Sequence, residues 1–283
     1  LKIKLNTKNL AMFFLCSFCA PFSVGLESHS ISTLVDMMEE SLVENNLLLN
    51  VSQLNDSLSL KDAYIIQKKF AARQGTGKTL GYKAAFFDLS SRNKFMFTEP
   101  MSGILKSGCV FTDEQVIRLE DFPGLRLELE LGYRLKREIK PTSKDIVEIN
   151  NNWFELIPVI EMPQIRFSSL EDANAVDLIA GNVAASCWLE APPISTFDFS
   201  NLDRMEVKMF ANRKMIEKVN GSDVGGQEDA LAWLIEHLLS RNVRLRKGDL
   251  LITGKLGKIH VPVAGRYVVK YGSLSELTFS IIK

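Results

Sequence analysis

Hydrophobic and polar residues alternate without interruption from Leu125 to Leu135, and this pattern predicts a β-strand. Side chains along a strand point to opposite faces in turn, so the leucines of this stretch share one face with Tyr133. The other face carries Arg126, Glu128, Glu130, Gly132 and Arg134. The charged face is therefore the feature of this strand that needs an explanation.

Two interpretations of the charged face remain open. In the first, the strand is half-buried and antiparallel, and its charged face meets water, with the arginines balancing the glutamates. In the second, the face forms a divalent-metal site, because hard cations such as Mg²⁺ bind several carboxylate oxygens. Glu128 and Glu130 would supply two of these oxygens from one strand, and Gly132 would leave room for a ligand.

A third acid, Glu161, lies in the apolar run from Leu156 to Pro163. A carboxylate in apolar surroundings is costly unless it is paired, protonated or bound to a metal. The alternative is that Glu161 ends a strand and points into solvent. The residues alone leave the metal site and the solvent-exposed strands equally open.

The remaining pattern predicts an α+β fold with a mixed or antiparallel sheet, because helices come first and many strands follow. Residues 26–79 are predicted to be a helical region, with Ser30 as one N-cap and with Ser59 and Asp62 forming a capping box. Residues 80–283 are predicted to be a mainly β domain with helices inserted within 169–187 and 229–240.

The segment from Gly75 to Thr79 imitates the end of a phosphate-binding loop. The full pattern requires a glycine where this chain has Ala72, and it requires a strand before the loop rather than a helix. A polar turn is the better interpretation, and no nucleotide site is expected here.

Composition excludes several classes of protein. The chain has 283 residues, of which 46% are hydrophobic, so it can bury a large core. Its formal net charge is zero, without the basic surface of a nucleic-acid-binding protein or an acidic tail. We therefore expect no nucleic-acid partner, and no apolar run is long enough for a stable membrane span.

Residues 1–25 resemble a signal peptide, since Lys2, Lys4 and Lys8 precede a short apolar run that ends near Ser23 and Gly25. If this segment is cleaved, we expect a periplasmic or secreted protein, and otherwise a cytoplasmic one. The alternative is an N-terminal extension that packs as a helix or stays disordered.

The cysteines do not decide the compartment. Cys16 and Cys19 lie in the candidate signal peptide, and no second pair accompanies them, so a zinc site is not expected. Cys109 and Cys187 could pair in an oxidising space, but their separation favours two buried thiols.

Eight short motifs occur in the order found in the 2-keto-4-pentenoate hydratase family, which belongs to the fumarylacetoacetate hydrolase superfamily. They are Ser59–Gln67, Gly81–Lys83, Glu99–Pro100, Glu128–Tyr133, Pro158–Glu161, Asp177–Ala180, Ala230–Leu234 and Gly248–Gly254. From about residue 30 to residue 283, the chain therefore resembles this family.

The resemblance implies a mixed β-roll or sandwich core of the fumarylacetoacetate hydrolase type behind the N-terminal helical region, with residues 80–283 as the catalytic domain. It implies Mg²⁺ or Mn²⁺ bound by Glu128, Glu130 and Glu161, and it makes Lys83 the active-site lysine. Without the resemblance, Lys83 would be interpreted as a surface lysine at the start of a strand.

The resemblance also implies an activity, a lyase of aromatic catabolism. Such an enzyme hydrates a 2-hydroxy-2,4-dienoate, through its 2-oxo-enoate tautomer, to a 4-hydroxy-2-oxo acid. Lys83 would bind this small acid or move a proton, and a homo-oligomer is expected.

Three departures from the family pattern keep other functions open. Met101 stands where the family often has an acid, Gly181-Asn182 stands where it usually has Asp-Asn, and Lys255 stands where a small residue is common. The alternatives are a catalytically silent protein that binds a metal and a 2-oxo acid, or a decarboxylase or C–C hydrolase of related 2-oxo acids.

Overall fold

The computed structural model describes residues 2–3, 29–74, 77–95, 97–141 and 147–283. Its helices are α1 Ile31–Asn45, α2 Val51–Leu54, α3 Leu60–Arg73, α4 Leu89–Phe95, α5 Ala175–Ala180, α6 Phe199–Arg204 and α7 Gln227–Ser240. Its strands are β1 Lys2–Ile3, β2 Thr79–Ala85, β3 Met101–Lys106, β4 Val110–Phe111, β5 Gln115–Arg118, β6 Leu127–Leu135, β7 Val147–Glu148, β8 Phe154–Met162, β9 Cys187–Glu190, β10 Glu206–Ala211, β11 Lys214–Asn220, β12 Leu250–Ile252, β13 Leu256–His260, β14 Gly265–Tyr271 and β15 Ser275–Ile282.

Two predicted segments fall partly outside these residues. Apart from Lys2–Ile3, which pairs with β7, the candidate signal peptide lies outside the described residues. The first two residues of the Gly75–Thr79 turn also lie outside them. Within the described residues, no helix is both long enough and apolar enough to cross a bilayer.

The predicted helix caps are present at the start of α1 and α3. The Ser30 hydroxyl accepts a hydrogen bond from the Thr33 N–H at 3.2 Å. Ser59 and Asp62 form the reciprocal capping box, with the Ser59 N–H donating to Asp62 Oδ2 at 3.0 Å. The apolar sides of these helices pack with α2 and α5 in one buried cluster, so the helical region is held against the rest of the chain.

Two mixed sheets form the remainder of the described fold. The larger sheet has the strand order β3-β2-β12-β6-β8-β9-β4, with β13 paired to β6 as well, and the smaller has the order β11-β10-β14-β15-β5. Strand β12 runs parallel to β2 but antiparallel to β6. The Tyr271 hydroxyl on β14 donates to the Val159 carbonyl of β8 at 2.5 Å, which joins the two sheets. The predicted α+β class with a mixed sheet is confirmed.

Strand β6 is buried on both faces, so the interpretation in which its charged face meets water is wrong. Its apolar face joins the main hydrophobic core, in which α7 also packs. Its charged face is covered by β2 on one side and by the β12–β13 segment on the other. The same alternating sequence pattern arises whether the charged face meets water or is covered by polar groups from another part of the protein.

Other segments differ from the sequence predictions. The helix within 169–187 is confined to α5, and Cys187 begins strand β9 instead. The short strand β7 and the short helices α4 and α6 were not predicted. Each of these elements is short, so few residues contribute to its periodic pattern.

Cys109 and Cys187 form a disulfide, with their Cα atoms 4.8 Å apart, so the prediction of two buried thiols is wrong. The reason is the parallel pairing of β4 with β9, in which Val110 lies opposite Trp188. Each cysteine directly precedes one of these paired residues, and the pairing therefore places the two sulfurs side by side.

Candidate functional site

Strands β6 and β8 bring the three predicted acids together. Their antiparallel register places Glu128 directly opposite Glu161, and Glu130 lies two residues farther along the same face of β6. One carboxylate oxygen from each residue lies within 4.8 Å of the other two. We call these three residues the carboxylate cluster.

The carboxylate cluster is buried. Glu128 is 8% exposed, and Glu130 and Glu161 are 0% exposed. The interpretation in which Glu161 ends a strand and points into solvent is therefore wrong. Three acids placed this close together in the interior need protons or a cation to offset their mutual repulsion.

Several oxygens of the carboxylate cluster have no protein partner. Glu130 Oε2 accepts a hydrogen bond from the Gly254 N–H at 2.8 Å, but Glu130 Oε1 has no partner among the described residues. Glu161 Oε2 likewise has none. Buried polar atoms are seldom left unpaired, and hard oxygen donors are the ligands that divalent cations prefer. The residues present therefore fit a divalent metal ion.

The pKa values of the cluster reflect its burial. Burial and the neighbouring Glu161 raise the pKa of Glu128 from 4.5 to about 7. The pKa of Glu130 is raised well above its usual value, first by burial and then by Glu161 and Glu128. Without a metal ion, both shifts favour the protonated forms of Glu128 and Glu130.

Lys83 on β2 points into the same place. Its Nζ lies 2.5 Å from Glu161 Oε1 and 3.4 Å from the Val183 carbonyl oxygen, and the side chain is 3% exposed. Burial lowers the pKa of Lys83, but Glu161, Glu128 and Glu130 together outweigh burial, so the net shift is upward. Lys83 is therefore a buried cation, and the interpretation of a surface lysine is wrong.

A left-handed turn supplies the carbonyl group that Lys83 contacts. Asn182, Val183 and Ala184 all have positive φ angles, of 57°, 50° and 56°. Such angles are rare for residues other than glycine, and strained backbone of this kind is found most often at functional sites. The Asn182 side chain holds the turn in place by pairing with both the N–H and the C=O of Ile104 on β3.

Sequence reasoning noted Asn182 only as part of a departure from the family pattern and did not assign a role to this turn. Gly103 is the matching signal on β3, because a Cβ there would lie 3.0 Å from both the Asn182 carbonyl oxygen and Lys83 Cγ. A glycine at this point of a strand indicates that another part of the chain approaches closely.

Gly132 does not leave room for a ligand, contrary to the sequence prediction. A Cβ at Gly132 would lie 2.9 Å from Leu250 Cδ1 and 3.2 Å from Val159 Cγ2. Neighbouring strands fill that space, so the open side of the carboxylate cluster lies elsewhere.

A cavity of about 130 Å³ opens beside Lys83 and Glu128, and we call it the Lys83 cavity. Its other walls are mainly apolar, and Ser91 and Lys255 add polar groups. A larger cavity of about 860 Å³ lies between α3 and the end of α7, but none of the carboxylate cluster lines it. Of these two cavities, the smaller is lined by members of the buried charged group, Lys83 and Glu128, which makes it the candidate site.

His237 lies at the larger cavity and has a structural environment. Its ring stacks on Trp233, with centroids 4.7 Å apart, and burial followed by the charge of Arg241 lowers its pKa from 6.5 to about 4. Within the described residues, His237 lines the larger cavity and not the Lys83 cavity.

No model of a known protein family matches the chain. Curated relatives cover most of it at low identity. The TodF product hydratase of Pseudomonas putida is 24% identical over 256 residues, which is 88% of this chain and 94% of that protein. The 2-oxo-hept-4-ene-1,7-dioate hydratase of Escherichia coli is 22% identical, with 89% and 98% covered. The 2-keto-4-pentenoate hydratase of Paraburkholderia phymatum is 23% identical, with 77% and 84% covered.

Solved structures agree with these relatives. The 4-oxalocrotonate decarboxylase from Pseudomonas putida G7, complexed with magnesium and adipate, superposes with a TM-score of 0.78 at 17% identity, with 89% of this chain and 97% of that chain covered. A Yersinia pestis CO92 protein assigned to the fumarylacetoacetate hydrolase family gives a TM-score of 0.50 at 15% identity, with 71% and 92% covered. The chain is thus a relative of the 2-keto-4-pentenoate hydratases with the fumarylacetoacetate hydrolase fold.

The names of these hydratases confirm the predicted enzyme class, a hydro-lyase, at the level of the family. The presence of magnesium in one decarboxylase structure and of calcium in a second agrees with the fit of the carboxylate cluster to a divalent ion.

The departures from the hydratase pattern lie in different places. Met101 is 2% exposed, packs in the helical cluster, and lines the larger cavity rather than the Lys83 cavity. At Gly181, a Cβ would lie 2.8 Å from Phe167 Cζ, so close packing excludes an acid there without a shift of the ring. Lys255 alone of the three lines the Lys83 cavity. Met101 and Gly181, the two positions at which the family pattern has acids, are therefore part of the packed interior in this chain.

Proposed function

We propose that this chain is a metal-dependent hydratase that converts a 2-hydroxy-2,4-dienoate into a 4-hydroxy-2-oxo acid. Glu128, Glu130 and Glu161 would hold Mg²⁺ or Mn²⁺, and Lys83 would be the active-site lysine. The observation that carries the proposal is the convergence of three buried carboxylates and one buried ammonium group at the end of a small cavity.

The bound ion would act as a Lewis acid that stabilises negative charge on the carboxylate and the 2-oxygen of the substrate. The side chains of this protein would do the rest. Lys83, as a cation, can donate a hydrogen bond to a substrate oxygen while it keeps its contact with Glu161. The apolar walls of the Lys83 cavity would hold the diene and exclude bulk water.

The reaction balances with water as the only co-substrate. A proton adds to C5 of the dienoate as the 2-hydroxyl proton leaves, which gives the 2-oxo-3-enoate. Water then adds across the C3–C4 double bond, with its hydroxyl on C4 and its proton on C3. Lys83 would bind the charged substrate oxygens or move a proton.

A second candidate function is a catalytically silent protein that binds a metal and a 2-oxo acid. Glu128 is the only acid among the described residues that line the Lys83 cavity, and the positions of Met101 and Gly181 offer none. This absence of a further acid in the wall favours binding without turnover. A related decarboxylase or C–C hydrolase would use the same metal site.

The test of the hydratase is the loss of dienoate absorbance with added Mg²⁺ or Mn²⁺, with the product identified by mass spectrometry in ¹⁸O-labelled water. We expect incorporation of one labelled hydroxyl oxygen and loss of activity with a chelator. Metal binding without any chelator-sensitive turnover across several dienoates would favour the silent protein. Release of carbon dioxide would favour the decarboxylase.

A variant tests the metal site directly. Glu130→Gln should abolish metal binding by calorimetry and lower turnover by at least about a hundredfold, because it removes one anionic ligand while keeping the side-chain shape. The matched control is Glu155→Gln on the same pair of strands, which should leave metal affinity and turnover unchanged. Glu155 lies opposite Arg134 and outside the carboxylate cluster. Unchanged metal affinity in Glu130→Gln would show that the site is assigned wrongly.

A further inference from the structure

The wall of the Lys83 cavity is apolar where the tail of a substrate would lie. Beyond Lys83 and Glu128, the wall is formed largely by Phe86, Phe95, Ile165, Phe167, Leu170 and Leu178. The volume of about 130 Å³ is below the range of about 300–1,000 Å³ usual for drug-sized ligands. The cavity therefore has room for a short tail, and its walls offer that tail few polar partners.

Lys255 is the cation in this wall that could meet a charged tail, but it already has partners. Its Nζ donates to the Gly257 carbonyl at 3.0 Å and lies 3.5 Å from Asp88 Oδ2. Asp88 is itself held in place, because its Oδ1 accepts a hydrogen bond from the Ser91 N–H at 2.7 Å at the start of α4. The charge of Lys255 is thus offset by a fixed carboxylate at the edge of the cavity.

The relatives leave the nature of the tail open. One is named for 2-keto-4-pentenoate, which carries one carboxylate, and another for 2-oxo-hept-4-ene-1,7-dioate, which carries two. In this chain, a second carboxylate would lose its water against aromatic and aliphatic side chains, and Asp88 would repel it. A methyl or short alkyl tail would meet no such cost.

We infer that Asp88 and Lys255 act as a specificity-determining pair, so that this chain selects 2-oxo or 2-hydroxydienoic acids with one carboxylate and a short uncharged tail. This selection rests on the proposed function, because it assumes that the reacting carboxylate and 2-oxygen lie at the carboxylate cluster. Because Asp88 offsets the charge of Lys255, the cavity excludes dicarboxylic acids of the same length.

Two unreactive acids test this selection on the full chain loaded with Mg²⁺. The acids 2-oxohexanoate and 2-oxoadipate have the same carbon chain and differ only in a terminal methyl group or carboxylate. We expect calorimetry to give at least about tenfold tighter binding of 2-oxohexanoate, given the desolvation of the second carboxylate. Equal binding, or tighter binding of 2-oxoadipate, would overturn the inference while leaving the metal site intact. Failure of both acids to bind would overturn the proposed function as well.

The pair itself is tested by Asp88→Asn. Asparagine keeps an oxygen for the Ser91 N–H but removes the charge beside Lys255. The affinity ratio should then move at least about tenfold toward 2-oxoadipate, and adding Lys255→Met to this variant should reverse the gain. An unchanged ratio in Asp88→Asn would show that the pair does not determine specificity.

The matched control is Glu276→Gln. It removes the charge of Glu276, whose carboxylate lies 3.0 Å from Lys270 Nζ in an exposed pair, and neither residue lines the Lys83 cavity. The affinity ratio should stay as it is in the unchanged chain. A shift in this control equal to the shift in Asp88→Asn would mean that net charge alone sets the ratio, which overturns the inference.

Discussion

Individual side chains in this molecule carry charge only where a specific neighbour or solvent supports it. Lys83 is kept charged in the interior because three carboxylates surround it. His237 shows the opposite case, since its neighbours are aromatic rings and the cation Arg241. Burial disfavours the charged form of both residues, and the neighbouring groups shift the pKa in opposite directions.

The lowered pKa of His237 predicts an acid-sensitive contribution to stability. Because the folded pKa of about 4 lies below the unfolded value of 6.5, this contribution is present above pH 6.5 and is lost as the pH falls through 4. His237→Phe should keep the stacking on Trp233 and remove roughly 2 kcal/mol of the stability lost between those pH values. Urea unfolding at pH 7 and at pH 4 measures this difference, and an equal loss in both proteins would contradict it.

Among the elements, β6 contributes to both the main hydrophobic core and the candidate site. One face contributes leucines to the main hydrophobic core, and the other presents Glu128 and Glu130. Its neighbour β8 contributes Glu161, and β9 extends the same sheet beyond β8. The positions of the acids therefore depend on how firmly three adjacent strands are held.

The disulfide between β4 and β9 predicts a large effect on stability. It links residues 78 positions apart in sequence, and removing a cross-link over a loop of this length should cost roughly 4 kcal/mol, mainly through the entropy of the unfolded chain. The double variant Cys109→Ser, Cys187→Ser should show this loss in guanidinium unfolding. Reduction of the unchanged chain should lower its stability similarly, and the double variant should not respond to the reductant.

For the whole molecule, metal binding and folding should be linked through the carboxylate cluster. The pKa of Glu128 is raised from 4.5 to about 7 in the metal-free fold, so its stabilising effect is fully present below pH 4.5 and is lost as the pH rises through 7. A bound divalent ion requires charged carboxylates, so its stabilising effect grows over the same interval.

Calorimetric melting from pH 5 to pH 8 tests this linkage. With a chelator, the Tm should fall as the pH rises, and saturating Mg²⁺ should raise the Tm most at pH 8. At a concentration of one hundred times Kd, the ion should add about 2.7 kcal/mol to the free energy of unfolding. Parallel pH dependences with and without Mg²⁺ would show that the ion binds away from the cluster.

Sequence patterns predicted the parts of the molecule that depend on local regularity. The alternation around Glu128 and Glu130, the caps at Ser30 and Ser59, and the α+β class are all present. The pairing of Glu128 with Glu161 depends on strand register across a long connection. The residues alone left a metal site and solvent-exposed strands equally open, and the family resemblance favoured the metal site. Local patterns contain no information on how distant segments approach each other.

The features that sequence reasoning missed are contacts between distant segments. The cover over the charged face of β6 comes from Lys83 and Gly254, each far away in the chain. The disulfide results from a pairing of two short strands, and the turn at Asn182 depends on its fit against Ile104. Each is decided by tertiary packing rather than by propensity.

The close fit between Gly103 and the left-handed turn at Asn182 has a consequence for the evolution of this protein. A methyl group at position 103 would press on Lys83 Cγ and on the Asn182 carbonyl oxygen, one residue before the Val183 carbonyl that Lys83 contacts. Gly103 itself has no chemical group to offer a substrate. Homologues that diverge in substrate would then be free to vary the aromatic walls of the cavity. They would retain glycine at position 103.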